Sequence, residues 1–177
     1  MFSLSNKFTK NFLGGVFFLL LFLQFNLLPD LGFYWLNLAL GWLLVLILVD
    51  FPLKPLLCFA FLAGLFLDVY GSVFFGFNLI LWPLIVLLLY WVAKEILSLE
   101  RNFFSSCVFL SLGFFVYYLL LGVGLKATSG NIYLWPQALP TFYRGLSYLL
   151  FNVIAALFWF FIFNYFRIKD KLNVERL

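Results

Sequence analysis

Between Pro55 and Trp91 the chain carries a single charged residue, Asp68, and is otherwise almost wholly apolar. The hydrocarbon core of a bilayer is ~30 Å thick, and about 20 helical residues cross it, so this stretch is too long for one crossing. Gly71-Ser72 is the natural break, because Gly and Ser favour turns and Gly tolerates the backbone angles they need. The rest of the sequence has the same character. Of 177 residues, 66% are hydrophobic and 10% charged, with a mean hydropathy of +1.12; a soluble domain is about 45–50% apolar and about 25% charged. A globule of this length could not bury so much Leu and Phe. The chain reads as an all-α integral membrane protein.

Six spans are expected, at about 11–28, 33–49, 55–70, 73–92, 103–125 and 142–166, forming one transmembrane domain over 1–177. Asp50-Phe-Pro52 closes the second span. Pro83 lies inside the fourth, where membrane helices tolerate it if neighbours satisfy the freed carbonyl. The charged start, Lys7 and Lys10, could open a signal peptide, but no small-residue cleavage site follows, and Gln24, Asn26 and Pro29-Asp30 read as the end of a retained span.

The eleven basic residues test the count. With six spans, Lys7, Lys10, Lys54, Lys94, Arg101, Arg167, Lys169, Lys171 and Arg176 share one face, leaving Lys126 and Arg144 on the other. By the positive-inside rule the first face is cytoplasmic, as are both termini. A single span over 55–92 would divide these charges and part the termini.

Chemistry has little to work with. Histidine is absent, which removes the commonest general base and metal ligand. Cys58 and Cys107 lie in apolar runs, where cysteine acts as a small hydrophobe. The acids Asp30, Asp50, Asp68, Glu95, Glu100, Asp170 and Glu175 are scattered among loops and span ends. There is no phosphate-cradling loop, Asp-rich metal motif or nucleophile elbow. No catalytic residue, cofactor, metal or nucleic-acid partner is expected.

Asp68 remains, since a charge at membrane depth costs roughly 2.5–3.5 kcal/mol on insertion scales. It could contact a substrate or a partner, or couple to protons. It could also sit at the outer interface, capping the turn through Ser72 or backbone amides. Gly64 lies one helical turn earlier, and Ala60 one turn before that. This small-xxx-small pair would allow close helix approach.

With Gly64-Leu-Phe-Leu-Asp68, then Gly71-Ser72 and Gly76-Phe-Asn78, the sequence resembles the rod shape-determining protein MreD family. Gln24, Pro29-Asp30 and Asn37 also sit where that family carries similar residues. Two details depart from it: Leu36, not Pro, precedes Asn37, and the turn reads Gly71-Ser72 where Ser-Gly is usual. The resemblance implies a non-catalytic scaffold of the bacterial cell-elongation machinery. It would lie in the inner membrane as a partner of MreC, helping link MreB filaments to the glycan polymerase RodA and its transpeptidase. It also implies a bundle like the substrate-binding subunits of energy-coupling vitamin transporters. That likeness supplies the alternative, a small-molecule-binding transporter subunit with its pocket beneath the loop 126–141. On either reading the structural or partner-contact candidates are Asn37, Ala60, Gly64, Asp68, Gly71, Ser72, Gly76 and Asn78, with membrane lipid as surroundings.

Overall fold

The computed structural model describes the backbone of residues 7–33, 36–70, 75–96, 103–129 and 138–174, and the side chains of 12–33, 36–70, 75–95, 103–122 and 146–164. Every regular element among them is helical. Helix α1 (Lys7–Phe22) runs without a break into a π-helical turn, Leu23–Leu27, and a last α-turn, Leu28–Asp30. Then come α2 (Leu38–Leu48), α3 (Leu53–Tyr70), α4 (Phe77–Ile96), α5 (Phe103–Ser129) and α6 (Ala138–Val174). Among the described residues, five helical stretches are long and apolar enough to cross a membrane: Phe12–Asp30, Leu53–Tyr70, Phe77–Glu95, Phe103–Gly122 and Leu146–Asn164. The protein is a multi-pass membrane protein, helical in all the regular structure of its described residues.

The apolar run expected to give the second span does not form a helix of spanning length. Its helix, α2, has 11 residues, about 16 Å at 1.5 Å per residue, roughly half the hydrocarbon thickness. Two local devices set its ends. At the start, Asn37 has non-helical angles (φ −102°, ψ 78°), and its side chain accepts the Leu40 N–H, the bond an N-cap residue makes. At the end, the Phe51 N–H donates to the Leu46 carbonyl at 2.9 Å and the Asp50 N–H to the Ile47 carbonyl at 3.1 Å. This pair of bonds is the Schellman motif. It requires a left-handed residue, and Asp50 supplies it at φ +60°. Phe51, fully buried, completes the stop.

Ala39 to Leu48 are buried without exception. A helix that is apolar on every side belongs inside a bundle, and α2 is wrapped by α1, α3, α4, α5 and α6. Trp42 fits edge-on against Trp159 of α6 at 5.1 Å between ring centroids. Small residues let the neighbours close in. A Cβ on Gly113 of α5 would stand 2.8 Å from both Leu44 methyls, and one on Gly41 would stand 3.4 Å from the Ala156 Cβ.

The other helices hold close to the expected spans, with shifted ends. α3 starts at Leu53 and α4 at Phe77 rather than 73, while α5 and α6 run past their apolar windows to Ser129 and Val174. Outward faces are apolar: Phe104, Phe75 and Ile80 are 77%, 70% and 67% exposed. In water such a surface would aggregate; in a bilayer it meets its own solvent.

Candidate functional site

Asp68 stands in the last turn of α3 and is buried. Its carboxylate reaches across to the start of α4, where both oxygens are used twice. Oδ1 accepts from the Asn78 backbone N–H at 2.9 Å and from Asn78 Nδ2 at 3.0 Å. Oδ2 accepts from the N–H groups of Gly76 at 2.9 Å and Leu79 at 3.0 Å. The first amides of any helix lack intrahelical partners, and the N-terminal end of the helix dipole favours an anion. Asp68 meets both demands at once, as a cap supplied from the preceding helix. Burial of the charge is offset by four donors, and charge-assisted bonds of this kind are about twice as strong as neutral ones.

Gly64 makes the reach possible. A Cβ there would collide with the Asn78 carbonyl oxygen and stand 2.8 Å from its carbon and 2.9 Å from the Leu79 Cα. Backbone therefore meets backbone one turn below the carboxylate, and Ala60, fully buried, continues the same narrow face. Gly76 contributes its conformation, φ +98°, which glycine adopts without a steric penalty. Gly64, Asp68, Gly76 and Asn78 thus form one joint. Gly71 and Ser72 lie outside the described residues. The donors to Asp68 are the Gly76 amide just before α4, the Asn78 and Leu79 amides in its first turn, and Asn78 Nδ2.

Asn37 belongs to a second buried cluster at the N-terminus of α2. Three amides there are met by three side chains. The Leu40 N–H donates to Asn37 Oδ1 at 3.1 Å, the Ala39 N–H to Gln24 Oε1 at 3.0 Å, and the Asn37 N–H to Asn152 Oδ1 at 2.6 Å. Asn152 of α6 is itself fixed, its Nδ2 donating to Tyr118 Oη at 3.0 Å and to the Tyr148 carbonyl at 2.8 Å. Gln24 is aimed by the π turn, in which i→i+5 bonding rotates the following residues relative to an α-helix. Asn26 in the same turn donates its Nδ2 to the Phe22 carbonyl at 3.1 Å, serving an acceptor beside the changed ladder.

Sequence reasoning missed Asn152, which lies far from Asn37 along the chain and has no local motif. It also missed Gly113. The signal available was a lone amide in the middle of an apolar run; such residues are expensive in lipid and need a partner.

Chemically, both clusters consist of donors and acceptors joined to each other, save Asn78 Oδ1, which is buried with no partner among the described residues. Asp68 has its lone pairs committed to its own chain, and Asn152 spends its oxygen and its amide in the same way. Among the described residues no group of three or more His, Cys, Asp or Glu side chains converges as a metal site would require. Lys126, Arg144 and the basic tail have side chains outside those described. Compared with known protein families, with characterised proteins and with solved structures, the chain matches none.

Proposed function

We propose that this chain is a non-catalytic membrane scaffold of the MreD kind. It would sit in the bacterial inner membrane with both termini in the cytoplasm. Its work would be to couple MreC and MreB to RodA and its transpeptidase for lateral wall synthesis. One observation carries the reading. The residues that bear the resemblance, Gly64, Asp68, Gly76 and Asn78, converge on one joint and are spent on holding α3 to α4. A motif used in this way serves shape, and a protein whose motif serves shape acts through the surface it presents.

Six passages across the membrane suit this role, with α2 in the second. α2 ends at Leu48, just before Asp50 and close in sequence to Lys54, and Asp50 and Lys94 line one small cavity. The basic face inferred from sequence and the C-terminal end of α2 thus meet at the same end of the bundle.

Purification from native membranes tests the reading. Recovery of MreC and wall synthases is expected. Recovery of ATPase subunits with a bound small molecule would instead establish the transporter alternative.

A further inference from the structure

We propose that the outer surface between α3 and α4 holds a phospholipid with an anionic headgroup, drawn from the leaflet on the Lys54 side. The two helices touch backbone to backbone at Gly64. Between them opens a groove of about 650 Å³, walled by Leu57, Cys58 and Phe61 on α3 and by Pro83, Leu84 and Leu87 on α4. That volume lies within the range of small-ligand pockets, roughly 300–1,000 Å³. Its walls are carbon apart from the Cys58 thiol, so its occupant must be hydrocarbon over this length.

Charge identifies the occupant. On a helix, residues three, four and seven apart share a face. Lys54 therefore continues the stripe of Cys58 and Phe61 one turn beyond the groove, and Trp91 continues that of Leu84 and Leu87. Both are exposed, Trp91 at 63%. An ammonium group and an indole at the mouth of an apolar slot are the pair that headgroups meet at membrane interfaces. Lys94 turns away, its Nζ lying 4.9 Å over the Tyr90 ring, so Lys54 carries the charge. An acyl chain would lie against Pro83 and Leu87 with its phosphate beside Lys54. This site is independent of the scaffold reading, since it needs only a membrane.

The test uses the full chain in detergent, with phosphatidylglycerol or phosphatidylcholine added, read by native mass spectrometry and thermal unfolding. Wild type should retain phosphatidylglycerol in preference to phosphatidylcholine. Lys54→Gln should weaken phosphatidylglycerol about fivefold, the effect of one basic residue near a lipid surface, and erase the preference. Cys58→Trp, which fills the groove, should lower binding of both lipids. Equal retention of the two lipids by wild type, or unchanged binding in Lys54→Gln, overturns the proposal. So does a Cys58→Trp protein that keeps its lipid but loses a co-purifying membrane protein, because the groove would then belong to a partner's helix.

Discussion

At the scale of single residues, Asp68 and Gly64 are coupled by geometry: the carboxylate can reach the α4 amides because no side chain stands between the backbones. Asp68→Asn keeps one acceptor oxygen, but its NH₂ group would face two N–H donors. We expect a loss of about 2–4 kcal/mol, given 1.5–3 kcal/mol for a hydrogen bond to a charged group. Asp68→Leu leaves all four donors unpaired and should cost more, with poor assembly. Denaturant or thermal unfolding of both variants in detergent checks this, and an Asn variant as stable as wild type would show that the charge contributes nothing to the joint. Gly64→Ala tests the other half. Its single methyl meets backbone, which cannot rotate away as a side-chain end could, so a loss of at least about 1–3 kcal/mol is expected, as for overpacked cores.

Helix ends govern the next scale. α2 is too short to hold its own ends at the bilayer surface, so each end is finished by residues inside the protein. Gln24→Ala removes the acceptor for the Ala39 N–H, and Asn152→Ala removes that for the Asn37 N–H. Each should cost about 1–3 kcal/mol, the penalty for a buried unsatisfied donor. Because the two amides lie in the same turn, the double variant should depart from additivity by about 0.5 kcal/mol or more. Additive losses would mean that α2 does not move as a unit. Asp50 at the other end occupies a left-handed position that glycine fills more easily, by roughly 1–2 kcal/mol per residue. Asp50→Gly relieves that cost but also removes the interaction the Asp50 side chain makes, beside a small cavity lined by Lys94, Ser105 and Ser106. Unfolding measurements should therefore show a gain smaller than about 1–2 kcal/mol, and a net loss would mean that the side-chain interaction outweighs the backbone strain.

For the whole molecule, the prediction concerns which parts of the chain water can reach. Fusions at Lys54, at 94–101 and at the tail should report one side of the membrane, and a fusion at Ser129 the other. Single cysteines in a background lacking Cys58 and Cys107 refine this. A membrane-impermeant thiol reagent should label Leu31→Cys, which is exposed, and spare Ala39→Cys, fully buried behind Gln24. Labelling at Ala39 would mean that the N-terminus of α2 opens to water and that the capped cluster is a passage. The lipid-facing surface, with Phe104, Ile80 and Trp91 outward, should tolerate exchange among large apolar residues with little change in stability, since the same hydrocarbon surrounds either side chain.

The sequence by itself determined the solvent, the helical class and the approximate limits of the five long helices. Those follow from run length and charge placement, which are local quantities that a bilayer reads one residue at a time. It also singled out Asp68 and Gly64, because a lone charge and a small residue in an apolar run are anomalies wherever the run folds. Tertiary structure alone decided that the 33–49 run yields an 11-residue helix buried on every side. Hydropathy has no term for neighbours, so a run facing protein and a run facing lipid look alike. The partners were decided there too. Asp68 caps α4 through amides eight to eleven positions away, and Asn37 is held by Asn152 across 115 positions. A hydrogen bond is fixed by where two backbones meet in space, and that meeting is set by the packing of the whole bundle around α2.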